Sequence, residues 1–554
     1  MPMTRPAEPG SDATTGPLPS GSPRGPRLRD ALAPGGFATV VELVPWRGTA
    51  VADAGTRVRA LARELGADSR IAALSVTDGA GGHATLSPEV LASQLAADGI
   101  EAIVHVTGRD RNRNELLSLG WRLAGTGVEN LLVLSGDHPT ERYLGVARPV
   151  FDLDSVSLLA LYDGLNRGEV GHGVVGRPVP RDRSRDVAPL SPSRGHVDDA
   201  APPTDFYLGA AINPFKRVER DVVPQYLKLA AKARAGARFA VTQVGYDPRK
   251  LDELARFTAE EDLPLRLLAN VFILSRTTAR IFAAGDVPGI SIPDALLARA
   301  EREAAAPDKG RDFFLDLAAR QVAIARGLGY AGAYLGGRSR VADYAAVIER
   351  AAAFGPDDWR VFAREDAYAL PDTFYLYAAD AATGLNRAMR ARRGKPRRVP
   401  LTYRINRAVH RIAFEPGSRG FRAAGRTYAS AERAHLGHLL HVAEQAIKIP
   451  LFDCRDCGDC SLPEIAYLCP ESQCVKNQRN GPCGGSHDGE CEIPGKPCIW
   501  ARAYERLLPF GEAETMLERA PAVPDNALRR TSAWANTYLG RDHTTRVDPG
   551  RSEP

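Results

Sequence analysis

The chain has 554 residues, 44% of them hydrophobic and 25% charged, which is enough material for two or three domains with a substantial core. A net charge of +5 is small for that length, and basic tracts such as 390–398 read as solvated surface, so no nucleic-acid partner is expected. No apolar run reaches the roughly 18 residues of a membrane span, so no membrane partner is expected either.

Residues 1–30 are rich in Pro, Gly, Ser and Thr and lack the apolar core of a signal peptide. They read as a disordered lead, and a cytoplasmic setting is expected. Beyond them, short apolar runs alternate with helical patterns. FATVVEL begins at Phe37, IAALSV at Ile71, EAIVHV at Glu101 and NLLVLS at Asn130. FYLGAAI begins at Phe206, RFAVTQ at Arg238, LRLLANV at Leu265 and AGAYL at Ala331. Helical periodicity fills 88–98, 113–126, 221–235 and 248–261. Eight strands with intervening helices predict an α/β fold, a (β/α)8 barrel of the TIM type over 31–355, against the alternative of an open doubly wound sheet.

Polar residues close these runs and favour the barrel. Glu42 ends the first, Thr77 and Asp78 the second, His105 and Thr107 the third, and Gly136 and Asp137 follow the fourth. Asn213, Gln243, Asn270 and Arg338 close the others. A barrel builds one site from the carboxyl ends of many strands, whereas any one of these alone reads as a helix cap or a packed polar group. Residues 168–203, dense in Pro, Arg, Asp and Ser, read as a disordered insertion.

A second domain is predicted over 356–510, followed by a C-terminal tail, 511–554. A helix is expected over 428–447, with His435, His438 and His441 at three-residue spacing; they read as a packed or solvated face in preference to metal ligands, since eight thiolates already suffice. It leads into a Cys-rich metal-binding module, 451–500, that holds all eight cysteines of the chain: Cys454, Cys457, Cys460, Cys469, Cys474, Cys483, Cys491 and Cys498. CxxCxxC followed by Cys469-Pro470 is a spacing that holds a four-iron cluster, and eight thiolates suit two [4Fe-4S] clusters. Zinc uses the same ligand count, and a disulfide framework is the bland alternative.

The segments VVELVPWRG, SVTDGAGG, IVHVTGRDRNRNEL, NLLVLSGDHP, FYLGAAINPF, KARAGARFAVTQVGYD and SIPDALL resemble the methylenetetrahydrofolate reductase family across 35–353. CPESQC and NGPCGGSHDGECE resemble the C-terminal module that some members carry or keep on a separate subunit. The resemblance implies flavin-dependent reduction of 5,10-methylenetetrahydrofolate to 5-methyltetrahydrofolate. FAD or FMN is the expected cofactor, a folate the substrate, and NAD(P)H or reduced ferredoxin the electron source. It implies Glu42 as the general acid, Asp137 beside flavin and pterin, and Gln243 on the pterin edge; Arg338, read from its place at a strand end, is a further candidate substrate contact. Thr77, His105, Ser135, Gly136, Asp137 and Lys232 match positions around the flavin.

The pattern also departs from the family. Trp46 replaces a proline, Asp78 stands where many members have Tyr, and Thr277 aligns where some members stack NADH on an aromatic ring. No GxGxxG follows a strand, so no separate nucleotide-binding domain is expected. Electrons then enter through the barrel mouth or through the cysteines, from an electron-transfer protein. Two readings from other classes are an inactive folate-binding or methyl-transfer adaptor with a structural zinc, and a zinc-dependent methyltransferase. A homo-oligomer is also expected.

Overall fold

The computed structural model describes residues 27–49, 53–141, 145–169, 201–391 and 398–547. Most of the predicted lead, nearly all of the 168–203 insertion and the 390–398 tract's centre lie outside them.

Eight parallel strands close on themselves. β1 (Ala38–Leu43), β2 (Ala73–Val76), β3 (Ala102–Thr107), β4 (Asn130–Leu134), β5 (Tyr207–Ile212), β6 (Phe239–Thr242), β7 (Arg266–Phe272) and β8 (Gly332–Gly336) pair in chain order, and β8 returns to β1. That return decides between the two predicted architectures in favour of the barrel. The outer layer is α1 (Asp53–Gly66), α2 (Pro88–Ala97), α3 (Arg113–Gly125), α4 (Ser155–Asn166), α5 (Glu219–Arg234), α6 (Pro248–Glu260), α7 (Arg311–Gly327) and α8 (Val341–Ala353).

Strand alternation sorts the side chains. On β1, Val41 and Leu43 join the core beneath the helices, whereas Ala38 and Val40 join an inner core with Ala73, Ile103, Leu132, Phe239, Leu268 and Tyr334. Leu28 and Leu32, in a short turn before β1, are fully buried in this inner core. Phe239 sets the neighbouring strand's sequence, since a Cβ on Gly209 would fall 2.2 Å from its ring. The inner positions are thus apolar at the amino-terminal ends of the strands. Two residues further along each strand the same face carries Glu42, Ser75, Thr77, His105 and Thr107.

Beyond the barrel come a two-stranded sheet, β9 (Tyr377–Ala379) and β10 (Asn386–Arg390), and the helices α9 (Leu401–Val409), α10 (Arg419–Arg433), α11 (Gly437–Phe452) and α12 (Ile499–Leu507). The helix predicted over 428–447 is two helices, because His435 takes a positive φ of 57° and ends the first. Residues 511–547, expected to trail away as a tail, instead pack on the module. Asn480 accepts the Ala522 amide at 2.7 Å, Asp459 accepts the Asp525 amide at 2.8 Å, and His543 is buried between Asp459 and Glu464. Among the described residues no helix is long and apolar enough to cross a membrane.

Candidate active site at the barrel mouth

A cavity of about 250 Å³ lies at the carboxyl ends of the strands. Its floor is apolar, with Leu132, Leu134, Ile212 and Val241, and its wall carries Glu42, Thr77, His105, Asp137, Gln243 and Asn270. The other side of the wall comes from the cysteine module: Lys476, Pro482, Cys483, Gly484 and Gly485. The module therefore covers the mouth of the barrel, and one of its thiols lines the same space as the strand ends.

Glu42 is held from the neighbouring strand. Tyr334, on β8, donates its hydroxyl to Glu42 Oε2 at 3.1 Å. Burial pushes the Glu42 carboxyl above the ordinary carboxylate range, and the Tyr334 hydrogen bond opposes part of that rise. The Glu42 side chain is half-buried, and its accessible part faces the cavity. Behind Tyr334, its hydroxyl lies 3.2 Å from His105 Nε2, which is itself 3.0 Å from Ser75 Oγ. Burial lowers the His105 pKa to about 4, so the ring is neutral near pH 7 and serves as a hydrogen-bond link between Ser75 and Tyr334.

The remaining wall is held by a buried polar stripe on α5. Asp221, Gln225, Lys228 and Lys232 fall at i, i+4, i+7 and i+11, on one face of the helix. Asp221 accepts the Gly489 amide at 2.9 Å and Gln225 donates to the Cys483 carbonyl at 2.6 Å. Lys228 donates to Gln478 Oε1 at 2.9 Å and to the Gly481 carbonyl at 3.1 Å. Lys232 donates to the Ala211 carbonyl at 2.5 Å. Burial, with Lys228 nearby, lowers the Lys232 pKa to about 7. Lys216 reaches the Gly484 carbonyl at 2.6 Å.

The opposite wall follows β4. Lys476 donates to the Gly136 carbonyl at 2.8 Å and pairs with Glu492 at 2.7 Å, while Ser135 donates to Gln478 Oε1 at 3.0 Å. Gly136 is at φ 87°, and an added Cβ would crowd Arg109 and Thr107 at 3.1 Å. Asp137 accepts the Gly81 amide at 3.0 Å. Asp154 both caps α4, accepting the Val156 amide at 3.0 Å, and accepts the Asn480 amide at 2.8 Å, so one carboxylate starts a barrel helix and anchors the module.

The eight cysteines are free thiols in two sets of electrostatic neighbours. Cys454, Cys457, Cys460 and Cys469 interact with one another, and Cys474, Cys483, Cys491 and Cys498 do likewise. Burial raises Cys460 and Cys474 to about 12. Backbone amides already point at sulfur: Asp456 donates to Cys454 Sγ and Gln478 to Cys474 Sγ, each at 3.4 Å. Among the described residues no group of three or more His, Cys, Asp or Glu side chains is arranged to hold a metal ion. His441 Nε2 lies 3.0 Å from Asp456 Oδ1.

Residues 34–162 match the family model for methylenetetrahydrofolate reductase, and residues 434–526 match that for the methylene-tetrahydrofolate reductase C terminal. Both matches fall on one chain, the first on the amino-terminal half of the barrel and the second on the cysteine module. Among solved structures, it is similar to an uncharacterized protein from Clostridium thermocellum that binds two copies of 5-methyl-5,6,7,8-tetrahydrofolic acid. The identity is 13% over 57% of this chain and 93% of that one, with a TM-score of 0.38. It is also similar to 2,3-dimethylmalate lyase, a PEP mutase/isocitrate lyase superfamily member, at 13% identity over 58% of this chain and 82% of that one, with a TM-score of 0.30. A comparison with curated proteins found no match.

Of the site residues expected from the sequence, Glu42, Thr77, His105, Ser135, Gly136, Asp137, Lys232 and Gln243 all line this cavity. Arg338 is not among its lining residues. It donates to the Leu274 carbonyl, and its Nε lies 4.0 Å from Asp343, on the rim outside the cavity. Tyr334, Ser75, Lys228 and Lys476 belong to the site and were not anticipated. Tyr334 stands on the inward period of β8, and Lys228 shares the α5 stripe with Lys232, so both carried a periodic signal. Lys476 reaches the site only through the docking of the module.

Proposed function

We propose that this chain is a reductase that converts 5,10-methylenetetrahydrofolate to 5-methyltetrahydrofolate with a bound flavin. The observation that carries this reading is Glu42: a carboxyl with raised proton affinity, held by Tyr334, facing an apolar-floored cavity at the mouth of a barrel whose first part matches the family. Opening the substrate's five-membered ring places a proton on the departing nitrogen, and Glu42 is the group positioned to give it. The exocyclic carbon then takes up a hydride, so one proton and one hydride convert the methylene bridge to a methyl group.

The cavity suits a flavin. Thr77 Oγ1 is buried without a hydrogen-bond partner among the described residues and lines the cavity, as a ligand-facing donor would. Lys232, Lys228, Ser135 and Asp137 provide the polar wall that would hold the flavin and its phosphate. When bound, the flavin supplies the hydride. Lys232 sits close to its pKa of about 7, so an arriving phosphate draws a proton onto it, and cofactor binding weakens as pH rises above 7. Gln243 and Asn270 stand on the next strands, where an amide can both donate to and accept from a pterin edge.

The two thiol sets suit metal by donor chemistry: four sulfurs each, with amide hydrogens directed at Cys454 and Cys474. Iron–sulfur clusters are the group these sulfurs would hold; such clusters would supply single electrons, and Cys483 of the second set lines the cavity. The test is Glu42→Gln. It retains flavin absorbance and folate binding while turnover falls about 10²–10⁴-fold. Turnover within a few-fold of the wild-type chain would remove Glu42 as the acid.

A further inference from the structure

The strand end that carries Asp137 has little support of its own. After β4 the chain runs through Ser135, Gly136, Asp137 and His138 without regular secondary structure, and Gly136 is left-handed. Among the described residues no backbone group hydrogen-bonds the Gly136 carbonyl or the His138 amide. Both partners come from one buried ion pair of the cysteine module. Lys476 Nζ donates to the Gly136 carbonyl at 2.8 Å, the His138 amide donates to Glu492 Oε1 at 3.1 Å, and Lys476 meets Glu492 Oε2 at 2.7 Å. The two side chains are each 3% exposed. Asp137 therefore stands between two backbone groups that a single pair grips from either side.

The pair is fixed in turn. Gly485 leaves it room, since a Cβ there would fall 1.9 Å from Glu492 Oε2. A third contact from the module, Ser135 Oγ to Gln478 Oε1 at 3.0 Å, holds the residue before Gly136. From the barrel side, Asp137 Oδ2 accepts the Gly81 amide at 3.0 Å; among the described residues nothing donates to Oδ1, and Asp137 lines the cavity. One carboxylate oxygen is anchored and the other is left for a ligand. A buried ion pair adds little net stability, because both charges lose their hydration; this one supplies a donor and an acceptor at fixed places. Lys476 borders the cavity, whereas Glu492 is not among its lining residues, so Glu492 separates a grip on the turn from direct contact with a ligand.

We infer that Lys476 and Glu492 are positioning residues for the barrel's own chemistry: through them the module clamps the turn at Gly136 and His138 and aims the Asp137 carboxylate into the cavity. This role rests on the reductase reading, and it gives the module a part that is independent of any electron it carries. A module that only supplies electrons is dispensable once the flavin has been reduced by other means. A clamp is needed in the first turnover as much as in later ones. Misplacing an orienting group by about 1 Å costs up to about a hundred-fold in rate.

The experiment is a single turnover of the flavin-loaded chain, its flavin reduced chemically before mixing with saturating 5,10-methylenetetrahydrofolate, and read as 5-methyltetrahydrofolate formed after quenching. Glu492→Gln is expected to keep flavin absorbance and to slow this first turnover about ten- to hundred-fold. Lys496→Met, on an exposed lysine of the same module, is expected to stay within about two-fold of the wild-type rate. In an Asp137→Asn chain, adding Glu492→Gln is expected to slow the reaction by no more than about two-fold further, because the group that the clamp aims is already gone. If Glu492→Gln loses its far-ultraviolet circular dichroism, Lys476→Met combined with Glu492→Met, which leaves no charge unpaired, is read in its place. A wild-type rate in the folded variant overturns the inference while the reductase reading stands. So does a full-sized loss in the Asp137→Asn chain, which would place the effect elsewhere than on Asp137. A His138 amide that exchanges with solvent like a free loop amide in the wild-type chain overturns it whatever the variants do. A flavin-loaded wild-type chain that forms no 5-methyltetrahydrofolate overturns the reductase reading and the clamp's role together.

Discussion

Tyr334 sets the place of the Glu42 carboxyl and tempers its proton affinity. Its hydrogen bond stabilises the ionised form of Glu42, against the larger effect of burial. Tyr334→Phe removes that stabilisation and raises the Glu42 pKa further, so the alkaline limb of the kcat/KM profile, where the proton is lost, moves to higher pH. A limb that stays in place or moves down would show that Tyr334 does not address the carboxyl during catalysis. His105→Gln keeps a polar link to Tyr334, while His105→Leu leaves the Ser75 and Tyr334 hydroxyls without their shared partner and is expected to cost about 1–3 kcal/mol in thermal or denaturant unfolding. Much of this cluster is legible in the sequence. Glu42, Thr77, His105 and Gln243 each close an apolar run, where a barrel strand reaches its site. Tyr334 reads as an ordinary core tyrosine, because only the closure of β8 onto β1 brings its hydroxyl to Glu42. Arg338 also follows a strand but turns to the Leu274 carbonyl and away from the cavity, so position at a strand end is not sufficient.

The elements of the C-terminal region show how far periodicity carries. The barrel strands are legible because each is a short apolar run, and the eight runs are the eight strands that close. Residues 428–447 read as one helix because both halves share a helical pattern. A single left-handed residue, His435, divides it. Residues 511–547 looked polar and free, yet His543 is a cornerstone of the module. Burial alone would lower its pKa, but Glu464 and Asp459 outweigh burial and raise it to about 9. A histidine whose folded pKa exceeds its unfolded value of about 6.5 contributes stability that is complete below pH 6.5 and lost as pH rises through about 9. The module is thus expected to lose about 2–4 kcal/mol between those limits in denaturant unfolding. His543→Asn should be destabilised at pH 6 and show no such alkaline loss, and a wild-type chain equally stable at pH 6 and pH 9 would contradict the ion network. Iron and acid-labile sulfide near eight each per chain are expected after anaerobic purification; zinc without iron would leave the thiols a structural role only.

On the scale of the whole molecule, the module is the lid of the barrel. The α5 stripe, the Asp154 cap and Lys476 join the two, and Cys483 enters the cavity wall beside the strand ends. No sequence pattern announces this, because every contact joins residues more than about a hundred positions apart in buried polar pairs with no periodic signature. The arrangement explains why one chain carries both modules: a thiol set reaches the cavity only if it is held there. Gln225→Ala and Lys228→Met, which loosen the loop at Cys483 and Gly481, should therefore slow electron delivery more than folate binding, read as a fall in kcat with a smaller change in KM. The central claim is that one cavity brings flavin and folate within hydride reach. Its most direct test is anaerobic single-turnover mixing of the flavin-loaded, reduced chain with 5,10-methylenetetrahydrofolate. The account predicts reoxidation of the flavin with one 5-methyltetrahydrofolate formed per flavin. A chain that binds no flavin, or whose reduced flavin stays reduced in the presence of the folate, would contradict it.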